Sequence, residues 1–248
     1  MASRHRNRLP LRLGILCWAL PRALHAGPPL ITDDPGTPGP NRWELNVATT
    51  LEYGPSDYLL ESPLLDVNYG VGERVQLKVE CPWAWTAPVG HAPSGSLGNP
   101  VFGVKWRFLD QESNGIDLSV YPQFDFNPTI KREAAIFDRE TEFLFPFEIA
   151  WSAGTWQVYG DVGFDWAIYE SDIVWAGIAG QAEVADGFDV MAEVHVEVPT
   201  DASGAGVAAN VGFTYDFNDT FTLLASGGTA AWTGGPDLLA YLGLQSRF

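Results

Sequence analysis

The sequence predicts an all-β chain, an antiparallel transmembrane β-barrel of about twelve strands with a closing C-terminal strand. Three observations lead there. Apolar and polar residues alternate with period two through most of the chain, as in strands with one face in oil and the other in water. The connections between these segments are short on one side and long on the other, the asymmetry of outer-membrane barrels. The alternation also runs into the terminal "YLGLQSRF", with Leu238, Ala240, Leu242, Leu244 and Phe248 on one face. A soluble domain usually lets its end fray.

Taken in chain order, residues 1–26 read as a secretory signal peptide. Arg4, Arg6, Arg8 and Arg12 form a basic region, "LGILCWAL" an apolar core, and "ALHA" a processing site ending at Ala26. Cys17 follows Ile15 and Leu16 rather than the small residues of a lipoprotein site, so no lipid anchor is expected. Residues 27–41 read as a periplasmic N-terminal segment and 42–248 as the barrel. Five of the 14 Lys and Arg and none of the 31 acids precede Gly27, leaving nine basic against 31 acidic residues, a net charge of −22. That balance sets nucleic acid aside as a partner. Cys81 alone remains after processing, which excludes an intramolecular disulfide. No later apolar run reaches the ~18 residues a membrane helix needs.

Strands are expected at 42–53, 58–69, 73–85, 99–109, 115–126, 140–151, 155–169, 172–184, 187–198, 206–217, 220–228 and 237–248. In "ETEFLFPFEIAW", Phe143, Phe145, Phe147, Ile149 and Trp151 oppose Glu140, Glu142 and Glu148. In "RVQLKVECPWAW", Val75, Leu77, Val79, Cys81, Trp83 and Trp85 oppose Arg74, Gln76, Lys78 and Glu80. A secreted β-sandwich would alternate in the same way. The aromatics favour the barrel. With the N-terminus periplasmic, "YGVGER", "DQESNG", "SAGT", "ADG" and "FNDT" become one set of turns, and "TAPVGHAPSGSLGN" and "NPTIKREAAIFDRE" become long loops opposite. Trp43, Tyr69, Trp151, Trp156, Phe188, Phe217, Phe221 and Phe248 then gather at one rim, and Tyr53, Trp83, Trp85, Phe124, Phe126 and Trp166 near the other, as two girdles.

The stretches "PPLITDDPGTPGPNRWELNV", "LDVNYGVGERVQL" and "NPVFGVKWRFLD" resemble the MetA-pathway of phenol degradation family of outer-membrane proteins. The resemblance covers the first third of the mature chain well and the remainder only in strand rhythm. It implies an outer-membrane barrel described as a transporter and associated with catabolism of aromatic compounds, and it brings no established catalytic residues. The ending resembles the terminal signal of outer-membrane barrels: Tyr241, Gly243 and Phe248 fit, and Ser246 does not. That resemblance implies the barrel-assembly machinery as a partner.

An apolar face turned to lipid sends the polar face to the lumen. Arg74, Lys78, Lys105 and Arg107 would line one wall, and Asp117, Asp125, Glu140, Glu142, Glu148, Asp161, Asp165, Glu193 and Glu197 another. Opposed walls of this kind would orient dipolar solutes in an open pore, or fill the lumen with ion pairs. Lys131, Arg132 and Arg139 lie in a loop that either folds inward as a constriction or stays exposed to lipopolysaccharide phosphates. Pro63 falls nearly opposite Pro82, and Pro122 nearly opposite Pro146, as strand breaks that either open the wall laterally or merely bulge it. His195, between Glu193 and Glu197, is read as structural, with a hydrolase using Glu193, His195 and Asp165 as the enzymatic alternative. "SNG" at Ser113 matches outer-membrane phospholipases by chance, because no His precedes it at the required place. No catalytic residue is assigned, and neither metal-ligand spacing nor a phosphate-cradling loop is present, so no cofactor is expected. The expected protein is a monomer among outer-membrane lipids and lipopolysaccharide that passes small solutes passively; apolar or aromatic solutes come from the resemblance alone. A closed barrel with a structural or surface role is the alternative.

Overall fold

The computed structural model describes residues 28–88, 90–127, 141–168, 171–201, 204–231 and 236–248. Its strands are β1 (Trp43–Tyr53), β2 (Asp57–Val71), β3 (Val75–Pro88), β4 (Ser94–Leu97), β5 (Val101–Leu109), β6 (Asp117–Val120), β7 (Gln123–Asp125), β8 (Glu142–Leu144), β9 (Phe147–Ala153), β10 (Trp156–Ala167), β11 (Ile173–Ala185), β12 (Phe188–Pro199), β13 (Gly206–Asp216), β14 (Phe221–Ala230) and β15 (Leu238–Arg247). β4 and β5 both pair with β3 and form one stave; β6 with β7, and β8 with β9, form two more. The result is a closed antiparallel barrel of twelve staves.

Closure rests on the two ends of the sheet. β15 pairs with β1 from Glu44↔Arg247 to Tyr53↔Leu238. Trp43 N–H donates to the Phe248 carbonyl at 2.7 Å and Phe248 N–H to the Trp43 carbonyl at 3.0 Å. Among the described residues these bonds pair the first stave with the last, so the ring has no open seam.

Alternation decides which side each residue takes. On β12, Val190, Ala192, Val194 and Val198 are exposed while Met191, Glu193, His195 and Glu197 are buried. The outside is apolar: Trp156 is 64% exposed, Val211 66% and Ile178 60%. In water so continuous an apolar exterior would be an association surface; facing acyl chains it costs nothing. No described helix is long and apolar enough to cross a membrane. Ring contacts mark both rims, with Trp43 against Tyr69 at 4.6 Å and Tyr215 against Phe217 at 5.3 Å at the end carrying the C-terminus. Phe124 against Phe143 at 4.8 Å and Trp83 against Trp85 at 6.2 Å mark the other.

Three segments carry more structure than plain turns and lead-ins. "TAPVGHAPSGSLGN" is not all loop, because β3 runs to Pro88 and Thr86 pairs with Ser94, which extends the hairpin above the belt. "DQESNG" is a helical turn, α1 (Gln111–Asn114), capped by the Asp110 carboxylate on Ser113 N–H at 3.0 Å. The third is residues 28–38, part of the segment expected to be periplasmic: they run into the barrel, where Ile31 and Thr32 N–H bond to Glu193. The chain turns in past the rim, where Asn41 N–H donates to the Gly70 carbonyl at 2.9 Å. The passage is tight; a Cβ on Gly70 would lie 1.8 Å from the Gly39 carbonyl oxygen. The pattern of β1–β15 gave no hint of this, since a Pro- and Asp-rich stretch without period two carries no strand signal.

Candidate functional site: the occupied lumen

The inward faces of the strands meet the N-terminal segment near mid-barrel. Five inward positions pair in a row across the wall, Ser119, Glu148, Asp161, Gly177 and His195. Gly177 leaves a gap in that row of polar side chains, and Thr32 fills it: a Cβ at Gly177 would lie 2.2 Å from Thr32 Oγ1, 2.7 Å from Asp161 Oδ1 and 2.9 Å from His195 Nδ1. Thr32 is only 1% exposed.

Hydrogen bonds seat the segment against facing walls. Glu193 on β12 takes Ile31 N–H at 2.8 Å on one carboxylate oxygen and Thr32 N–H at 2.7 Å on the other. Asn210 on β13 donates to the same carboxylate at 2.6 Å and orients it. Asp161 on β10 accepts Asp33 N–H at 3.2 Å. Across the lumen, Lys105 on β5 meets the Asp33 carboxylate at 2.9 Å, donates to the Asp34 carbonyl, and lies 3.3 Å from Glu148. Its ammonium also sits 4.6 Å from the ring centre of buried Tyr121. Ser226 on β14 donates to the Pro29 carbonyl, and Leu30 packs among Ala150, Tyr159, Ala179 and Met191.

Among the described residues ten carboxylates are buried against the two ammonium groups of Lys78 and Lys105. The ten include Asp125, Glu142, Glu148, Asp161, Asp165, Glu193 and Glu197, and also Glu61, Asp66 and Glu80, which the sequence reading did not single out as lining residues. Asp117 is half-buried on β6, accepting Gln111 N–H at 3.0 Å. Lys78 binds Glu80 at 2.8 Å and Asp66 at 3.8 Å. Asp66 also accepts from Asn46 at 3.0 Å and Asn68 at 3.1 Å. The basic wall is therefore two lysines, each matched to acids. Arg74 and Arg107 do not join them, because they stand at the strand ends: Arg74 is exposed and pairs with Asp110 at 2.6 Å, while Arg107 donates to the Glu73 carbonyl at 2.8 Å. Bonds from Ser113, with Arg74 nearby, hold the Asp110 carboxyl below the usual carboxylate range. Glu140, Lys131, Arg132 and Arg139 lie outside the described residues, as does the 1–26 segment.

A cavity of about 410 Å³ remains beside the segment, lined by residues including Asp33, Asp66, Lys78, Lys105, Tyr121 and Asp189. Its lining is polar. Glu193 is occupied by the segment, and His195 lies buried beside Gly177 with neither ring nitrogen hydrogen-bonded among the described residues.

The prolines sit where the ladder is irregular. Register shifts between Glu61 and Leu64 opposite Pro82 mark a bulge, across which Trp85 Nε1 donates to the Ser62 carbonyl at 3.2 Å. Pro122 separates β6 from β7 and Pro146 separates β8 from β9, yet Val104 N–H reaches the Pro122 carbonyl and Tyr121 N–H the Pro146 carbonyl, both at 3.0 Å. Backbone N–H groups reach the carbonyls of Pro82, Pro122 and Pro146, and on β2 the pairing skips Ser62 and Pro63 and resumes at Leu64↔Pro82.

No family model matches the chain, and no curated protein matches it. Solved structures do. The COG4313 outer membrane channel from Pseudomonas putida F1 superposes with a TM-score of 0.66 over 84% of this chain and 96% of that one, at 12% identity. The chain has the fold of an outer-membrane β-barrel. NanC porin matches at a TM-score of 0.60 over 82% of this chain and 98% of that one, with 11% identity. KdgM porin matches at 0.57 over 83% and 99%, with 10% identity. At such identities the likeness is one of fold.

Proposed function

We propose that this protein is a monomeric passive channel in the outer membrane of a Gram-negative bacterium, exported by residues 1–26, whose lumen is closed at rest by residues 28–38. The seating of Thr32 and Asp33 between Glu193, Asp161 and Lys105 carries the reading. A barrel needs no such insert to fold its wall, and the insert fills the path a solute would take. The names of the matching structures, channel and porins, support the same class of function.

The lining favours small polar solutes, cations before anions. The excess of buried carboxylates over lysines sets a negative potential along the path, and fixed charge of one sign selects the opposite one. The cavity beside the segment is lined mainly by acids, amides and lysines, with Tyr121 and Tyr159 among them, which suits polar solutes better than the apolar or aromatic ones implied by the family resemblance. Reversal potentials across a planar bilayer under a potassium chloride gradient test the claim. A potential on the cation side supports it, and anion preference by open channels overturns it. A barrel with a purely structural role would give folded protein with no conductance in any variant.

A further inference from the structure

The way the N-terminal segment is held points to the kind of solute the lumen takes. Three successive backbone N–H groups, of Ile31, Thr32 and Asp33, face carboxylates on β12 and β10, whereas the Asp33 carboxylate and the Asp34 carbonyl face Lys105 on β5. β5 and β12 stand five staves apart in a ring of twelve, nearly across the lumen. The site is therefore an acceptor wall and a donor wall separated by the width of one peptide.

We infer that this seat is a binding site for short peptides and related zwitterions, molecules that carry N–H donors a few bonds from a carboxylate, and that residues 28–38 are its tethered occupant. The inference rests on the channel reading. It goes further by naming the ligand chemistry and making solute binding and closure mutually exclusive. Charge-assisted bonds give the site its discrimination: a neutral sugar matches neither wall, and a simple anion would meet Lys105 but also Glu148 and Glu193. Asn210 orients the Glu193 carboxylate, and that bond does not involve the segment, so the acceptor wall stays organised when the segment leaves. The cavity beside the seat, about 410 Å³, gives an incoming molecule room to engage before the segment is displaced.

The test changes the segment and leaves the wall intact. Thr32→Pro removes one N–H and Asp33→Ala removes the carboxylate, in the full chain refolded into planar bilayers. Conductance of this double variant above that of the unaltered protein is the channel reading's own outcome; without it, reading and inference both fall. The opened channel is then exposed to a synthetic peptide with the sequence of residues 28–38, to alanyl-aspartate and to glucose. Block by the peptide, with or without the dipeptide, and at least tenfold weaker after adding Glu193→Gln, is the expected result; block by the peptide alone narrows the class to longer chains. Open channels that neither peptide nor dipeptide blocks, or block unchanged by Glu193→Gln, or equal block by glucose, would overturn the site while leaving the channel standing.

Discussion

The Glu193 carboxylate holds the backbone N–H of Thr32 at 2.7 Å, although 161 residues of chain separate them. A wall residue and a segment that precedes the first strand are thus joined by a charge-assisted bond inside a buried lumen. Such bonds contribute about 1.5–3 kcal/mol each, so a few are enough to keep the segment seated nearly all the time.

Replacing Glu193 with Gln keeps the shape but removes the charge and turns one of the two oxygens that accept the Ile31 and Thr32 N–H groups into an amide that can only donate. The segment then spends more time outside the seat. Limited proteolysis of protein in vesicles should cut residues 28–38 several-fold faster in this variant than in the unaltered protein, with the barrel band unchanged.

Gly177→Val puts a side chain where Thr32 Oγ1 now lies, since a Cβ there has only 2.2 Å to that oxygen. The same Cβ would meet Asp161 Oδ1 at 2.7 Å and His195 Nδ1 at 2.9 Å, side-chain ends that have to turn aside, while valine itself suits a strand. Heat-modifiable migration on gels should stay that of a folded barrel while single-channel conductance rises.

Lys105 faces Asp33 and Glu148 while itself 2% exposed. Lys105→Gln leaves these acids without their cation, and breaking a buried pair from one side costs about 3–5 kcal/mol. Urea unfolding from lipid vesicles should shift to lower concentration, and reversal potentials of the variant should move further towards cations.

Ile178 is 60% exposed on the outer face of β11. Ile178→Arg should cost about 2–4 kcal/mol if that face meets the bilayer interior. The stability of the refolded barrel checks this, and a neutral result would place β11 outside the membrane.

The strands were legible because burial on one face and lipid on the other write period two into the residues. Trp156, Val158, Val162, Phe164 and Trp166 point outward and Tyr159, Asp161 and Asp165 inward, as their alternation requires. Segregated charge was legible in part: Lys78 and Lys105 reach the interior, but Arg74 and Arg107 lie where strands end and turn residues claim them. The seat itself was hidden. "TDD" has no periodic neighbours, and the partner of Asp33 is a lysine 72 residues away, a distance over which spacing says nothing. An acidic pair flanked by prolines directly before the first strand was the one available signal, and it reads equally well as a solvated lead-in.

Single-channel recording of the full chain beside its Thr32→Pro, Asp33→Ala variant is the most direct test. The unaltered protein should be closed or nearly so, with brief openings, and the variant should give stable, larger, cation-preferring steps. Equal conductance in the two, from protein shown to be folded, would contradict the claim that residues 28–38 close this barrel.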